Sequence, residues 1–159
     1  MPRKKRTPII LTLDTETIGL DGALKRIAVY DGNEVIYGYR FPDVEWKIIE
    51  YYDRGFAPYV YIHNLDFDAR KIPELFEKGN ILWNSTRKIG SKYATIKCVK
   101  YTIKDSFKIL AASLAKLSKD FEVEPAKIDL WDRVQELYPN EYADTGDFFA
   151  RCDPDDPLY

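Results

Sequence analysis

Two acidic residues lie one residue apart in an otherwise apolar segment near the start of the chain. In LTLDTETIGL, residues 11–20, Asp14 and Glu16 occupy positions where leucine or valine would pack better in a buried strand. Because residues i and i+2 point to the same face of a strand, the two carboxylates project together and repel each other. Mg²⁺ or Mn²⁺, which prefer oxygen ligands, would relieve this repulsion. The pair alone therefore indicates either a metal site or a strand end at which both groups reach water.

A second acidic segment, YIHNLDFD, ends one strand-like run and enters a helix-like one. Its carboxylates, Asp66 and Asp68, fall near the predicted helix start, where the helix dipole favours anions. Ordinary capping is one explanation, and Asn64 is also a candidate cap. The other explanation is that one of these carboxylates joins Asp14 and Glu16 at a metal site.

The elements around these acids predict an α/β domain with a mixed sheet flanked by helices. TPIILTLDTET reads as a central strand covered on both faces, since Ile9, Ile10 and Leu11 are continuous. A hairpin follows around residues 31–33, then a helix over 44–55 with Trp46, Ile49 and Tyr52 at helical spacing and Gly55 closing it. An antiparallel start followed by helix, strand and helix fits such a sheet.

The second half of the chain continues the same pattern. APYVYIH is a strand, DFDARKIPELFEKGN is helical with a break or kink at Pro73, and residues 81–106 form strands turning near Gly90. SFKILAASLAKLSKDF is predicted to be one amphipathic helix with a stripe of Leu110, Leu114, Leu117 and Phe121. KIDLWDRVQELYPN is a short helix, and the tail is turn-rich.

Composition describes an ordinary globular chain. It has 159 residues, 45% of them hydrophobic, and a net charge of -2. Cys98 and Cys152 match no zinc spacing and no disulfide framework, and neither a membrane span nor a signal peptide is visible, so we expect a cytoplasmic protein. Residues 1–7, MPRKKRT, form a basic arm that is either a solvated terminus or an auxiliary phosphate contact.

The acidic motifs carry a family resemblance. DTET, followed about fifty residues later by HNLDFD, resembles the first two motifs of DEDD exonucleases. The closest likeness is to the 3′–5′ proofreading domain of protein-primed family B phage DNA polymerases, which implies a ribonuclease-H-like fold. The resemblance covers roughly residues 8–159. Asn64, Phe67 and Asp68 match the second motif, which implies that Asp68 rather than Asp66 is the metal ligand.

Further segments fit the same family. DSFKILAASLAKLSKDF is similar to the Ser-Leu-x-x-hydrophobic segment that holds single-stranded DNA; Ser106 and Leu110 match it, and Phe107 replaces the usual leucine. In AKIDLW, Lys127 stands where the family has a lysine near the scissile phosphate. Without the resemblance, Lys127 would be read as a solvated surface lysine.

The third family motif, Tyr-x-x-x-Asp on a helix, is incomplete. Tyr159 in DPDDPLY fits its tyrosine, but no residue follows. We therefore expect a domain truncated before the end of its third motif, without its fourth carboxylate. The alternative frame, Phe149 to Asp153, keeps the spacing but lacks a phenolic hydroxyl and lies in a turn-rich stretch.

The resemblance implies hydrolysis by two divalent cations, Mg²⁺ or Mn²⁺, held about 4 Å apart. Asp14 would bridge them, with Glu16 on the nucleophile side and Asp68 on the leaving-group side. Tyr159 would orient the attacking water, and Lys127 would offset charge in the transition state. The implied product is a 5′-mononucleotide released from a single-stranded DNA 3′ end.

Sequence-independent strand binding would draw on polar and aromatic side chains of the same motifs: Thr17, Tyr61, His63, Asn64, Phe67, Ser106 and Leu110. For Tyr61 and His63, an ordinary core position is nearly as good an explanation. The implied partner is a polymerase domain following in the native chain. A freestanding exonuclease on DNA or RNA, and a nuclease-like domain that binds single strands without cutting, remain the alternatives.

Overall fold

The computed structural model describes residues 5–17, 22–76, 81–123 and 130–152, with the backbone alone at 81–84, 130 and 149. The chain divides into two compact units. The first consists of residues 1–17 and 23–111, and the second of residues 18–22 and 112–159. The acidic motifs lie in the first unit.

The first unit is built on a seven-stranded mixed sheet. Its strands are β1 Thr7–Thr17, β2 Leu24–Tyr30, β3 Val35–Gly38, β4 Phe56–Ile62, β5 Ile81–Ile89, β6 Lys92–Cys98 and β7 Thr102–Asp105, in the order β3-β2-β1-β4-β7-β6-β5. β1 pairs antiparallel with β2 and parallel with β4, and β4 pairs parallel with β7. The predicted α/β fold, with an antiparallel start and then a parallel strand, is confirmed.

Two helices accompany this sheet: α1, Pro42–Asp53, and α2, Leu65–Ala69. A 3₁₀ turn, Pro73–Phe76, follows α2, so the helical segment breaks just before Pro73, as predicted. The hairpin at residues 31–33 is also confirmed, with Gly32 at φ 98°. Gly55 follows α1 at φ 96°, a left-handed conformation that glycine adopts without steric cost.

The sheet buries one face and leaves the other open. Along β1, Leu11 is 1% exposed and Leu13 is 3% exposed, whereas Ile10, the residue before Leu11, is 64% exposed. The same alternation continues in β4, where Val60 and Ile62 are buried. The prediction that β1 is covered on both faces is therefore wrong: a continuous apolar run still alternates between faces, and only every second residue reaches the core.

Helix α1 forms as predicted but buries a different stripe. Trp46 is 51% exposed, while Val44, Lys47, Ile48 and Tyr51 face the core. The Lys47 ammonium is kept there by carboxylates, since its Nζ lies 2.6 Å from a Glu34 oxygen and 3.5 Å from Asp31. A lysine can therefore occupy a core-facing position in this helix.

The long amphipathic helix predicted over residues 106–121 is wrong. The segment contains a 3₁₀ turn, Ser106–Lys108, and a separate short helix α3, Leu114–Asp120, whose N-cap Ser113 accepts a hydrogen bond from the Lys116 N–H. Leu110 and Leu114 are each 42% exposed and Phe121 is 61% exposed. Asp105 caps the 3₁₀ turn and Ser113 caps α3, so the segment starts twice and does not form one continuous helix.

The second unit contains α3, α4 Leu130–Leu137 and α5 Thr145–Arg151. Val134, Phe148 and Cys152 form its buried cluster. The predicted helix over residues 127–140 is confirmed over residues 130–137, while residues 127–129 lie outside the described residues, and α5 lies in a stretch predicted to consist of turns. Residue 149 is therefore helical, contrary to the description of the Phe149 frame above. Among the described residues, no helix is both long enough and apolar enough to cross a membrane.

Shortening a side chain to alanine should lower the free energy of unfolding by different amounts on the two faces of the sheet. Ile103→Ala removes a fully buried side chain of β7 and should lower the free energy of unfolding by about 3 kcal/mol. Ile10→Ala, on the open face, should cost less than about 1 kcal/mol. Urea denaturation measures both values. Equal losses in the two variants would contradict the assignment of the faces.

Candidate active site

The site begins on the open face at the carboxyl end of β1. Asp14 and Glu16 alternate with buried Thr15, so both carboxylates lie on the exposed side of the strand. β1 runs parallel to β4 with Thr12 opposite Tyr61. The end of β1 therefore lies beside the turn that follows β4, and two motifs separated by about fifty residues in sequence are brought together by strand pairing.

Asp68, in helix α2, reaches this end of β1. It is only 3% exposed, and its Oδ1 accepts a 2.5 Å hydrogen bond from the Thr15 hydroxyl. The pKa of Asp68 is raised to about 6, chiefly because burial removes the carboxylate from water. The Thr15 hydrogen bond opposes this shift, and the negative charge of Asp14 adds to it. Asp14 and Asp68 are thus close enough to repel each other.

This donor set has the chemistry that a hard divalent cation requires. Two carboxylates that approach each other, one of them buried, are stabilised by a cation bound through oxygen. Within the described ranges, no group of three or more His, Cys, Asp and Glu side chains is placed to hold a metal ion. Asp68 contacts Thr15, whose side chain is buried, whereas Asp14 and Glu16 lie on the exposed side of β1.

Asp66 is engaged elsewhere. Its Oδ2 accepts a 2.7 Å bond from the Arg70 guanidinium, one helical turn away. Its Oδ1 lies 3.4 Å from the backbone N–H of Tyr93 on β6. Asp66 thus holds α2 against β6, whereas Asp68 faces β1.

The turn between β4 and α2 depends on a buried acid that the sequence analysis did not single out. Asp105, 3% exposed at the end of β7, accepts hydrogen bonds from the backbone N–H groups of Asn64 and Phe107, at 3.1 and 2.9 Å. Asn64 occupies the N-cap position of α2 at φ 66°, but its side chain makes no capping hydrogen bond. The signal for Asp105 was the Asp-Ser pair at a strand end, where aspartate commonly accepts the N–H two residues later.

His63 and Ser106 meet beside this turn. His63 Nδ1 lies 3.1 Å from Ser106 Oγ, and the His63 ring packs edge-on against Phe107 at a centroid separation of 5.4 Å. His63 Nε2 is buried and has no hydrogen-bond partner in the described part of the chain. An unsatisfied buried nitrogen is unusual and is compatible with a polar ligand arriving at this position.

The remaining predicted strand-binding residues lie on β1, β4, α2 and the segment after β7. Tyr61 lies on the open face, with the Lys104 ammonium 5.9 Å from its ring, and Phe67 is half-buried beneath Lys71. Leu110 is exposed, and Thr17 is the last residue of β1. Three further predicted positions lie outside the described residues: Lys127, Asp153 and Tyr159.

Comparison with known proteins gives a partial family match. Residues 57–134 match the family model of DNA polymerase type B, organellar and viral. This segment, just under half of the chain, is similar to that polymerase family. The resemblance to this polymerase family that the motifs indicated is thereby confirmed, and no curated protein matches the chain.

Solved structures of Phi29 DNA polymerase share the fold. The orthorhombic crystal form is 19% identical with a TM-score of 0.57, covering 79% of this chain and 25% of that one. The complex with single-stranded DNA is 19% identical with a TM-score of 0.55, covering 76% and 25%. The ternary complex with primer-template DNA and nucleotide is 20% identical with a TM-score of 0.53, covering 96% and 28%. This chain spans about a quarter of the length of these solved structures.

The raised pKa of Asp68 predicts that, without divalent cations, Asp68→Asn changes the free energy of unfolding in a pH-dependent way. The unfolded carboxyl ionises near its ordinary value of 3.8 and the folded one near 6, so ionisation at Asp68 destabilises the fold as pH rises through this window. Below pH 4 the variant and the native chain should unfold alike. At pH 8 the variant should be more stable by about 1–3 kcal/mol.

Chemical denaturation in EDTA at several pH values measures this difference. Asparagine retains an oxygen that accepts the Thr15 hydroxyl proton, so the substitution isolates the charge. Asp53→Asn, which alters an exposed carboxylate beside Lys100, is the matched control and should show no such gain at pH 8. A native chain as stable as Asp68→Asn across the whole range would contradict the burial assigned to Asp68.

Proposed function

We propose that this domain is a metal-dependent 3′–5′ exonuclease that shortens single-stranded DNA, in the role of the proofreading domain of a family B DNA polymerase. The observation that carries the proposal is the buried Asp68 carboxylate, which the hydroxyl of Thr15, the residue next to Asp14, holds at the end of β1. A desolvated carboxylate beside a second one is costly unless cations bind there. The match to a DNA polymerase family favours DNA over RNA as substrate.

The proposed ligands of two divalent cations, Mg²⁺ or Mn²⁺, are Asp14, Glu16 and Asp68. Glu16 lies on the same face of β1 as Asp14. When bound, such ions activate water and neutralise charge on a scissile phosphate. Asp66 is not proposed as a ligand, because its two oxygens already accept hydrogen bonds from Arg70 and Tyr93.

The proposed strand contacts surround this acidic end of the sheet. Ser106 and the exposed Asn64 amide would bind sugar and phosphate oxygens, and the His63 Nε2 nitrogen would gain a partner. Phe67 and Tyr61 offer rings on which terminal bases can stack. The other two proposed strand contacts are Thr17, at the end of β1, and the exposed Leu110. None of these contacts reads base edges, which suits removal of any nucleotide.

Two further assignments follow from the motif likeness. Lys127 would offset negative charge near the scissile phosphate, and Tyr159 would orient the attacking water. The proposed partner is a polymerase domain that follows in the native chain and delivers the 3′ end. Solved Phi29 DNA polymerase complexes contain single-stranded and primer-template DNA, and this is the class of ligand proposed here.

A 5′-labelled single-stranded oligonucleotide tests the activity. With Mn²⁺, the protein should shorten it stepwise from the 3′ end and release 5′-mononucleotides. Asp14→Asn and Asp68→Asn should each lower the rate by at least about 100-fold, because each removes charge that the reaction needs. Asp66→Asn, a neighbour with the same chemical change, should retain most of the activity provided that circular dichroism shows it folded.

Other outcomes separate the alternatives. Binding of the oligonucleotide without shortening under any divalent cation would overturn the nuclease proposal in favour of a strand-binding domain. Equal shortening of RNA would contradict the assignment to DNA. Loss of activity in Asp66→Asn, with Asp68→Asn still active, would show that the ligand has been misassigned.

A further inference from the structure

A basic groove lies on the open side of strands β5, β6 and β7, apart from the acidic end of β1. Four cationic side chains line it, Arg87, Lys88, Lys104 and Lys108, together with the aliphatic Ile89 and Ile109. Its volume is about 500 Å³. We call these six residues the basic groove.

The groove is positively charged although the chain as a whole carries a net charge of -2. The carboxylate at its base, Asp105, is buried and already accepts the N–H groups of Asn64 and Phe107. Among the residues that the structure describes, none of the four cations forms an ion pair with an acidic side chain. Lys88 and Lys104 instead lie over tyrosine rings, at 4.4 Å and 4.5 Å from the ring centroids. Their charges are therefore available to an anion.

The groove is continuous with the proposed strand contacts. Asp105 at its base immediately precedes Ser106, which meets His63. Lys104 on β7 lies opposite Tyr61 on β4 in the register of these two paired strands. A chain of phosphates leaving the His63–Ser106 contact along β7 would thus pass directly into the basic groove.

The apolar residues in the groove distinguish between single-stranded and duplex ligands. Ile89 is 62% exposed and Ile109 is 65% exposed, each beside cationic neighbours. A duplex presents phosphates outward and stacks its bases inside, so it would meet the cations and leave the isoleucines uncovered. A single strand offers both phosphates and unstacked bases, which fits cations interleaved with apolar side chains.

We propose that the basic groove binds the backbone of the single strand on the 5′ side of the terminal nucleotides, without reading sequence. This inference rests on the proposed function for the direction of the strand. The groove would hold the strand while its 3′ end is shortened, and it would make binding depend on strand length and on salt.

Fluorescence anisotropy of a 5′-labelled oligothymidylate of about 20 nucleotides, in EDTA so that no cleavage occurs, tests the groove. Arg87→Gln with Lys108→Gln should weaken binding about tenfold near 0.1 M salt. The magnitude of the slope of the log association constant against log salt concentration should also fall by about 1.4, or about 0.7 for each lost phosphate contact. Arg40→Gln with Arg54→Gln, on either side of α1, removes the same charge outside the groove and should leave both values near those of the native chain.

Two results would overturn the proposal. One is an equal effect of the two double variants, which would show a response to net charge alone. The other is an equal loss of affinity for duplex DNA of the same length, which would show a general polyanion surface.

Cleavage in Mn²⁺ is measured separately, so the two proposals can fail independently. Groove-dependent binding without any cleavage would support the groove and overturn the nuclease. Asp68-dependent cleavage with binding unaffected by the groove variants would support the nuclease and overturn the groove.

Discussion

The burial of one carboxylate against the end of a strand is the constraint on which the rest of the site depends. Asp68 is removed from water, held by the Thr15 hydroxyl and exposed to the negative charge of Asp14. Such an arrangement costs folding free energy in the absence of a counter-charge. A chain that retains it gives up some stability at this position, which is the usual signature of a site arranged for binding or catalysis.

The rest of the first unit positions that carboxylate. Parallel pairing of β1 with β4 brings the strand that carries Asp14 next to the turn that carries His63 and Asn64. Asp105 fixes this turn from the end of β7 by accepting two backbone N–H groups. Because only one face of the sheet is buried, the opposite face remains open for a ligand, and it carries acids at the end of β1 and cations along β5 to β7.

Local signals in the sequence predicted much of this arrangement. The i, i+2 spacing of Asp14 and Glu16 placed them on one face of β1. The glycines at positions 32 and 55 predicted the turns after residues 31 and 54. The failures have tertiary causes. Ile10 looks like core but faces outward, Lys47 is buried only because Asp31 and Glu34 surround it, and the segment after residue 105 is governed by caps rather than by its apolar spacing. The Asp-Ser pair predicts the bond from the Phe107 N–H to Asp105, but the second bond, from the Asn64 N–H, joins residues distant in sequence and has no local signal.

Direct measurement of Mn²⁺ binding tests the central claim most closely. Electron paramagnetic resonance reports the free ion, and titration of the protein gives its affinity without any substrate. The account predicts that neutralising either Asp14 or Asp68 with asparagine abolishes the tightest binding, while Asp66→Asn preserves it. Unchanged Mn²⁺ affinity in Asp68→Asn would contradict the claim that these two carboxylates form a cation site.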